Sequence, residues 1–270
     1  LPPRLEALAD FIGKKVGEPV PHKIYTDTGP ILERELGQRA GLGWIGKNTC
    51  LINPAQGSYF LLAEVLLGVE LEADTPFAFD RCGDCTRCVE ACPTDCILPD
   101  RTLDAGRCLS YLTIELKDDI PIELRQKVGM WIFGCDICQQ VCPWNERFAQ
   151  MTDEPIFKPG EWLGGAQLGD FIRLEPALWR GGLKGSPLER PRRKGLVRDA
   201  VVVAGNTGDP SYVPPLVKVL RNDPEPLVRR HAAWALGAIG GIEALDALEK
   251  ALDSESDPSV RTSIQSALAS

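Results

Sequence analysis

The sequence predicts a multidomain α+β protein on two observations. Seven of its ten cysteines fall in two tight runs mid-chain, and a Val-Arg pair recurs near the end at intervals of 31 and 32 residues. At 270 residues the chain has room for two or three domains and is well above the size where stability needs staples. The divisions expected are 1–75, a mixed α/β segment; 76–150, organised by cysteines; 151–190, a linker with a basic segment; and 191–270, helical repeats.

The opening residues to about Val16 place Leu5, Leu8, Ile12 and Val16 at helical spacing. Asp27-Thr28-Gly29-Pro30 reads as a helix start, a capping side chain with proline near the first turn, for a helix over roughly 31–40 that stops at Gly41. The apolar run Ser58 to Gly68 fits a buried strand or a buried helix, and periodicity does not choose between them.

The first cysteine run is Cys82-x2-Cys85-x2-Cys88-x3-Cys92-Pro93; the second is Cys135-x2-Cys138-x3-Cys142-Pro143, with Cys108 as its displaced first member. In two-cluster bacterial ferredoxins three thiolates of such a run hold one [4Fe–4S] cluster and the fourth reaches the other. The spacing therefore assigns Cys82, Cys85, Cys88 and Cys142 to one cluster and Cys108, Cys135, Cys138 and Cys92 to a second. Zinc ribbons would show CxxC pairs without the x3-Cys-Pro endings. Cys50 and Cys96 are expected to be small buried residues.

Val197-Arg198, Val228-Arg229 and Val260-Arg261 each open an Ala-rich helical pattern, with Asp-Pro pairs at Asp209, Asp223 and Asp257 marking turns. This is the pattern of a short HEAT-type array, which provides a binding surface more often than chemistry. From Arg180 to Arg198 seven basic residues face one acid, so that window is +6 and the remainder of the chain −14.

Several readings are set aside. Gly41-Leu42-Gly43-Trp44-Ile45-Gly46 matches a dinucleotide fingerprint in letters, but follows a helix and carries a bulky Trp44, so a tight loop is expected. Only His22 and His231 are present, which removes histidine-based metal sites and a Ser-His-Asp triad; both are read as structural or surface residues. The chain has no stretch approaching about eighteen uninterrupted apolar residues and no export signal, so a cytoplasmic protein with free thiolates is expected.

In order along the chain, Asp27-Thr28-Gly29-Pro30, Arg39 to Asn48, the first cysteine run, Cys108 to Glu115, Trp131 to Cys138 and Arg192 to Arg198 resemble the motifs of the epoxyqueuosine reductase family. The resemblance covers essentially all 270 residues, and the missing initiator Met fits a sequence lacking the family's amino-terminal part. It implies a cytoplasmic, monomeric enzyme without membrane contact that acts on tRNA carrying epoxyqueuosine at the wobble position. The epoxide oxygen leaves as water, at the expense of two electrons and two protons. Segment 1–75 is then the later portion of an α/β cobalamin-binding domain, with no histidine below cobalt, served by both clusters and an external electron donor. Asp27 occupies the proton-donor position, where the residue type alone reads as a cap or turn. Burial near the corrin is expected to raise its pKa. Asp27, Lys47, Asn48, Ser110 and Thr113 are expected against the cofactor, and Arg34, Arg192, Arg193 and Lys194 against substrate or tRNA. A corrinoid reductive dehalogenase and a non-catalytic electron-transfer subunit are the rival readings.

Overall fold

The structure is a computed structural model that describes residues 1–158, 160–177, 179, 183 and 185–269. The elements begin with α1 (Pro2–Val16), β1 (His22–Tyr25), α2 (Glu33–Arg39), β2 (Trp44–Ile45), β3 (Leu51–Ile52) and β4 (Glu64–Leu67). Short helices follow: α3 (Arg87–Glu90), α4 (Leu109–Ile114), α5 (Ile122–Arg125), α6 (Ile137–Gln140), α7 (Pro143–Phe148), α8 (Glu161–Gly165) and α9 (Leu168–Ile172). Five longer ones close the chain: α10 (Arg192–Thr207), α11 (Val213–Asn222), α12 (Pro226–Ile239), α13 (Ile242–Ser254) and α14 (Pro258–Leu268). No helix among the described residues is long and apolar enough to cross a membrane.

Packing divides the chain into two units. One comprises Leu1–Cys92, Ile97–Leu103 and Ile137–Met151; the other comprises Pro93–Cys96, Asp104–Asp136 and Thr152–Ser270. Segment 76–150 is thus shared between them, because the second cysteine run returns to set α6 beside α3 in the first unit.

In the first unit, α1 starts on a proline and stops where Gly17 turns left-handed (φ 95°) and donates its N–H to Gly13. The predicted face packs only in part, with Leu5 and Ile12 half-buried. Ala9 and Gly13 are buried while Leu8 and Val16 are exposed, since a side chain at Gly13 would press on the Glu18 carbonyl at 3.1 Å. The ambiguous run resolves as strand β4, antiparallel to β1 with Tyr25 opposite Glu64. The expected helix start at Asp27 is displaced: α2 begins at Glu33, with Leu32 as its cap and no capping side chain. His22 is a surface tether, its Nε2 2.9 Å from Glu6 Oε2.

The second unit is built on repeats. Val197, Val228 and Val260 are fully buried. A methyl group at Gly205 would meet Ala235 Cα at 2.9 Å, and one at Gly237 would meet Ala267 Cβ at 2.9 Å, the same relation one 32-residue repeat later. Small residues there let successive helices approach closely, which is why the pattern is Ala-rich. Asp257 accepts N–H groups from Ser259 and Val260 at the start of α14, and Asp209 accepts from Ser211. The arginines of the Val-Arg pairs are also periodic: Arg229 donates to the Asp223 carbonyl and Arg261 to that of Glu255, each six residues back.

His231 lies fully buried inside α12, its Nδ1 2.8 Å from the Leu227 carbonyl while Nε2 accepts the Ile120 N–H at 3.3 Å. Burial first, and then the nearby Arg125, hold its pKa well below the ordinary imidazole value. The unfolded chain takes up this proton below about pH 6.5 and the folded chain refuses it, so stability should fall as pH drops below about 6.5. Denaturant titrations between about pH 5.5 and 8 should show this slope in wild type and a flatter one in His231→Gln. Equal slopes would assign the acid sensitivity to other groups.

Candidate iron–sulfur site

Within the first unit, Cys82, Cys85, Cys88 and Cys142 line one cavity of about 240 Å³, walled by Ile52, Pro143 and Trp144 and edged by Arg81, Arg87 and Arg147. The chain reaches this arrangement locally. Cys85 closes a turn onto the Cys82 carbonyl (3.1 Å), and Cys88 follows in α3. Cys142 caps α7 in an extended conformation, with Pro143 in the first turn where a missing N–H costs nothing. The Asn145 N–H closes this first turn onto the Cys142 carbonyl at 2.9 Å.

The donor set fits a cubane. Burial, reinforced by Cys138, Cys82, Cys142 and Cys85, pushes the Cys88 thiol up to about 11. Thiols so grouped resist ionising together unless a cationic centre takes the charge. Among the described residues no three His, Cys, Asp or Glu side chains gather as a single ion would need. In a [4Fe–4S] cluster each thiolate holds its own iron around a larger body.

For the other four cysteines the structure supplies local settings. Cys92 donates its N–H to the Val89 carbonyl, and Cys138 lies in α6; both belong to the first unit. In the second unit Cys108 caps α4, and Cys135 packs against the core around Leu109, Leu112 and Val203. Cys96 is buried and Cys50 is half-buried.

Asp27 is exposed, not buried as expected, and sits in the left-handed region (φ 62°). Its N–H is held by Glu33 Oε1 at 2.8 Å. Arg34, also exposed, donates to the Thr49 carbonyl at 2.5 Å.

The expected corrin contacts are engaged elsewhere. Lys47 Nζ donates to the carbonyls of Gly83 (2.7 Å) and Cys85 (3.0 Å), pinning the first cysteine loop. Asn48 is buried; its amide donates to the Cys138 carbonyl and its oxygen accepts from Cys50. Thr113 is fully buried, donating to Leu109 and accepting from Gly134. Only Ser110 is half-buried with no such commitment among the described contacts. In this structure, then, Lys47 and Asn48 serve the cysteine loops and Thr113 serves helix α4.

Two residues near the cysteines escaped the sequence reading. Trp44, 1% exposed, donates its indole N–H to Cys82 Sγ at 3.4 Å. Asn145, just after Cys-Pro-Trp, is buried and ties α7 to Ser58 and the Gln139 carbonyl. The only signal for either was its place inside or beside a motif.

Residues 81–145 match the model of a 4Fe-4S double cluster binding domain, and residues 194–269 that of HEAT repeats. An epoxyqueuosine reductase of Xanthomonas campestris is 44% identical over 88% of this chain and 66% of its own length. One of Bacillus cereus is 34% identical over 95% of this chain and 67% of its own length. A crystal structure of an epoxyqueuosine reductase with an epoxyqueuosine-modified tRNA-Tyr stem loop superposes with a TM-score of 0.89 at 33% identity, covering 98% of this chain and 69% of that one. The chain belongs to the epoxyqueuosine reductase family. It spans about two thirds of the length of the curated family members it matches.

Within this epoxyqueuosine reductase family member, the basic window is less basic than its letters imply. Arg198 is fully buried, paired with Asp199 (2.8 Å) and donating to the carbonyls of Leu112, Leu116 and Asp118. Asp199 is itself pushed up to about 7 by burial, against the pull of Arg198. Arg193, expected to face tRNA, instead pairs with the buried Asp223 at 2.6 Å and donates to Leu174. Arg190 pairs with Glu115. Arg180 and Lys184 lie outside the described residues. Arg192, exposed, and Lys194, half-buried, remain as the described side chains of the window suited to phosphate. Charge counting missed this because each buried arginine answers a carboxylate distant or adjacent in sequence.

Proposed function

We propose that this chain acts in the cytoplasm as the cluster-bearing and tRNA-facing part of an epoxyqueuosine reductase, converting epoxyqueuosine to queuosine at the wobble position of tRNA. The observation that carries the reading is the four-thiol cavity in a chain of this family. The reaction removes the epoxide oxygen as water and consumes two electrons and two protons. The chain's two cysteine sets would relay electrons one at a time from an external donor, with Cys108, Cys135, Cys138 and Cys92 as the second set on spacing. Cobalamin belongs to this reading only as the cofactor that the resemblance implies.

Asp27 is the proposed proton donor to the leaving oxygen. A related structure from Bacillus subtilis, 32% identical with a TM-score of 0.88, is described with its catalytic aspartate loop swung out of the active site. Asp27 is likewise exposed and lies in a loop, with its N–H held by Glu33. The direct test is anaerobic incubation of reconstituted protein with epoxyqueuosine-modified tRNA, cobalamin and a reductant. Queuosine should form, and its absence with both clusters loaded would overturn the reading.

That outcome would favour a second reading, in which this chain serves only electron transfer. The engagement of Lys47, Asn48 and Thr113 with protein favours it, and it expects no corrin to be retained after reconstitution.

On the tRNA side, Arg192→Glu with Lys194→Glu should weaken tRNA binding and reduce the salt slope by about two, one for each phosphate no longer neutralised. Arg193→Glu should instead destabilise the fold, because it strands the buried Asp223. Unchanged tRNA affinity at low salt for the first pair would show that these charges face only solvent.

A further inference from the structure

We infer that Trp44 tunes the cluster held by Cys82, Cys85, Cys88 and Cys142, its indole N–H donating to the Cys82 sulfur and raising that cluster's reduction potential. The inference rests on the proposed assignment of that cluster and not on the epoxyqueuosine reaction.

The letters Gly41-Leu42-Gly43-Trp44-Ile45-Gly46, which serve no dinucleotide here, are explained by the same geometry. Trp44 pairs with Ile52 across the short β2–β3 ladder. A methyl group at Gly43 would stand 2.0 Å from the Ile52 carbonyl oxygen, and one at Gly46 would meet Ile52 Cδ1 at 2.5 Å and Asn48 Oδ1 at 2.9 Å. At Gly41, left-handed at φ 73°, it would meet the Thr75 carbonyl at 2.8 Å. All three glycines let other chain segments close tightly around the tryptophan.

The ring so placed is clamped. Phe77 stacks on it at 5.7 Å and 30°, and Trp144 meets it edge-on at 4.8 Å and 75°. With the ring fixed, the N–H direction is fixed too, at 3.4 Å from Cys82 Sγ. Lys47, three residues on, holds the Gly83 and Cys85 carbonyls and so sets the cysteine loop in register with the indole. Asp80 is the acid at the same cysteine: it accepts the Cys82 N–H at 2.8 Å and is paired with Arg101, which offsets its charge.

Reduction adds one electron to the cluster, and the added negative charge spreads onto the thiolate sulfurs. A donor already aimed at one of them stabilises the reduced form more than the oxidised form, which raises the potential. The buried, aromatic surroundings strengthen the effect by keeping water from competing. No proton leaves the indole.

The experiment is an EPR-monitored potentiometric titration of anaerobically reconstituted wild type and Trp44→Phe, without tRNA or cobalamin, using dithionite as reductant. Phenylalanine keeps an aromatic ring in the box and removes the donor. The expected result is one midpoint shifted to more negative potential, the other unchanged, with the same iron content as wild type. Two unchanged midpoints at full iron content, or a positive shift, would overturn the inference. Wild-type protein with low iron would instead count against the cluster assignment. Should Trp44→Phe fail to assemble its cluster, reduced protein labelled with indole-15N tryptophan and carrying Trp131→Phe and Trp144→Phe decides the matter. A 15N coupling to a cluster in pulsed ENDOR supports the contact, and its absence overturns it.

Discussion

Anaerobically reconstituted protein is expected to hold about eight irons, and Cys142→Ala to bring that number to about four. Cys142 stands in the second run by sequence, yet it lines the cavity of the first, so its loss should remove the cluster formed mainly by Cys82, Cys85 and Cys88. The other cluster should keep its EPR signal. Cys92→Ala should do the converse, removing the cluster assigned to Cys108, Cys135 and Cys138. Cys50→Ala and Cys96→Ala, outside both sets, should retain about eight irons. A wild-type content of about four irons, or stoichiometric zinc, would sink the two-cluster assignment. Circular dichroism provides the control: helices α10 to α14 draw their core from residues such as Leu196, Val228 and Ile264, none of which is a cysteine. Their helical signal should survive the loss of either cluster.

Asp27→Asn should slow conversion of epoxyqueuosine to queuosine by about a hundredfold to ten-thousandfold, the usual worth of general acid catalysis. The substitution suits the backbone, since Asp27 is left-handed (φ 62°) and asparagine tolerates that region as well as any residue except glycine. The contact to Glu33 is made by the Asp27 backbone N–H and is therefore retained. What asparagine lacks is the transferable proton. The variant should hold both clusters with wild-type spectra while single-turnover rates collapse. Rates near wild type would mean that Asp27 only shapes its loop and that the proton comes from another group. Asp27→Ala should be less stable at this turn, because alanine in the left-handed region is strained.

The double-cluster cysteine motif and the repeat array were legible because both are written in spacing. A cubane accepts only certain separations along the chain, and a solenoid repeats its contacts every 32 residues, as Gly205–Ala235 and Gly237–Ala267 do. The Asp-Pro pairs were legible for the same reason, since a cap bonds N–H groups two or three residues ahead. The face of α1 was half legible: Leu5 and Ile12 are half-buried, but Ala9 and Gly13 take the buried places because a close backbone approach at Gly13 leaves no room for a larger side chain.

By itself, then, the sequence determined the kind of metal centre, the helical repeats and the family to which the chain belongs, all of which rest on periodic or local rules. Only the tertiary structure decided where individual charges and donors point. Arg193 and Arg198 count as surface charge in a window, but Asp223 stands thirty residues from the first and, for the second, carbonyls more than eighty residues away complete the burial. Lys47 and Asn48 look available to a ligand until the cysteine loops, which begin some thirty-six residues downstream, close on them. Trp44 reaches Cys82 across thirty-eight residues. Partners so far apart meet only when the chain folds, because a side chain's hydrogen bonds depend on distance and angle in space and not on separation along the chain.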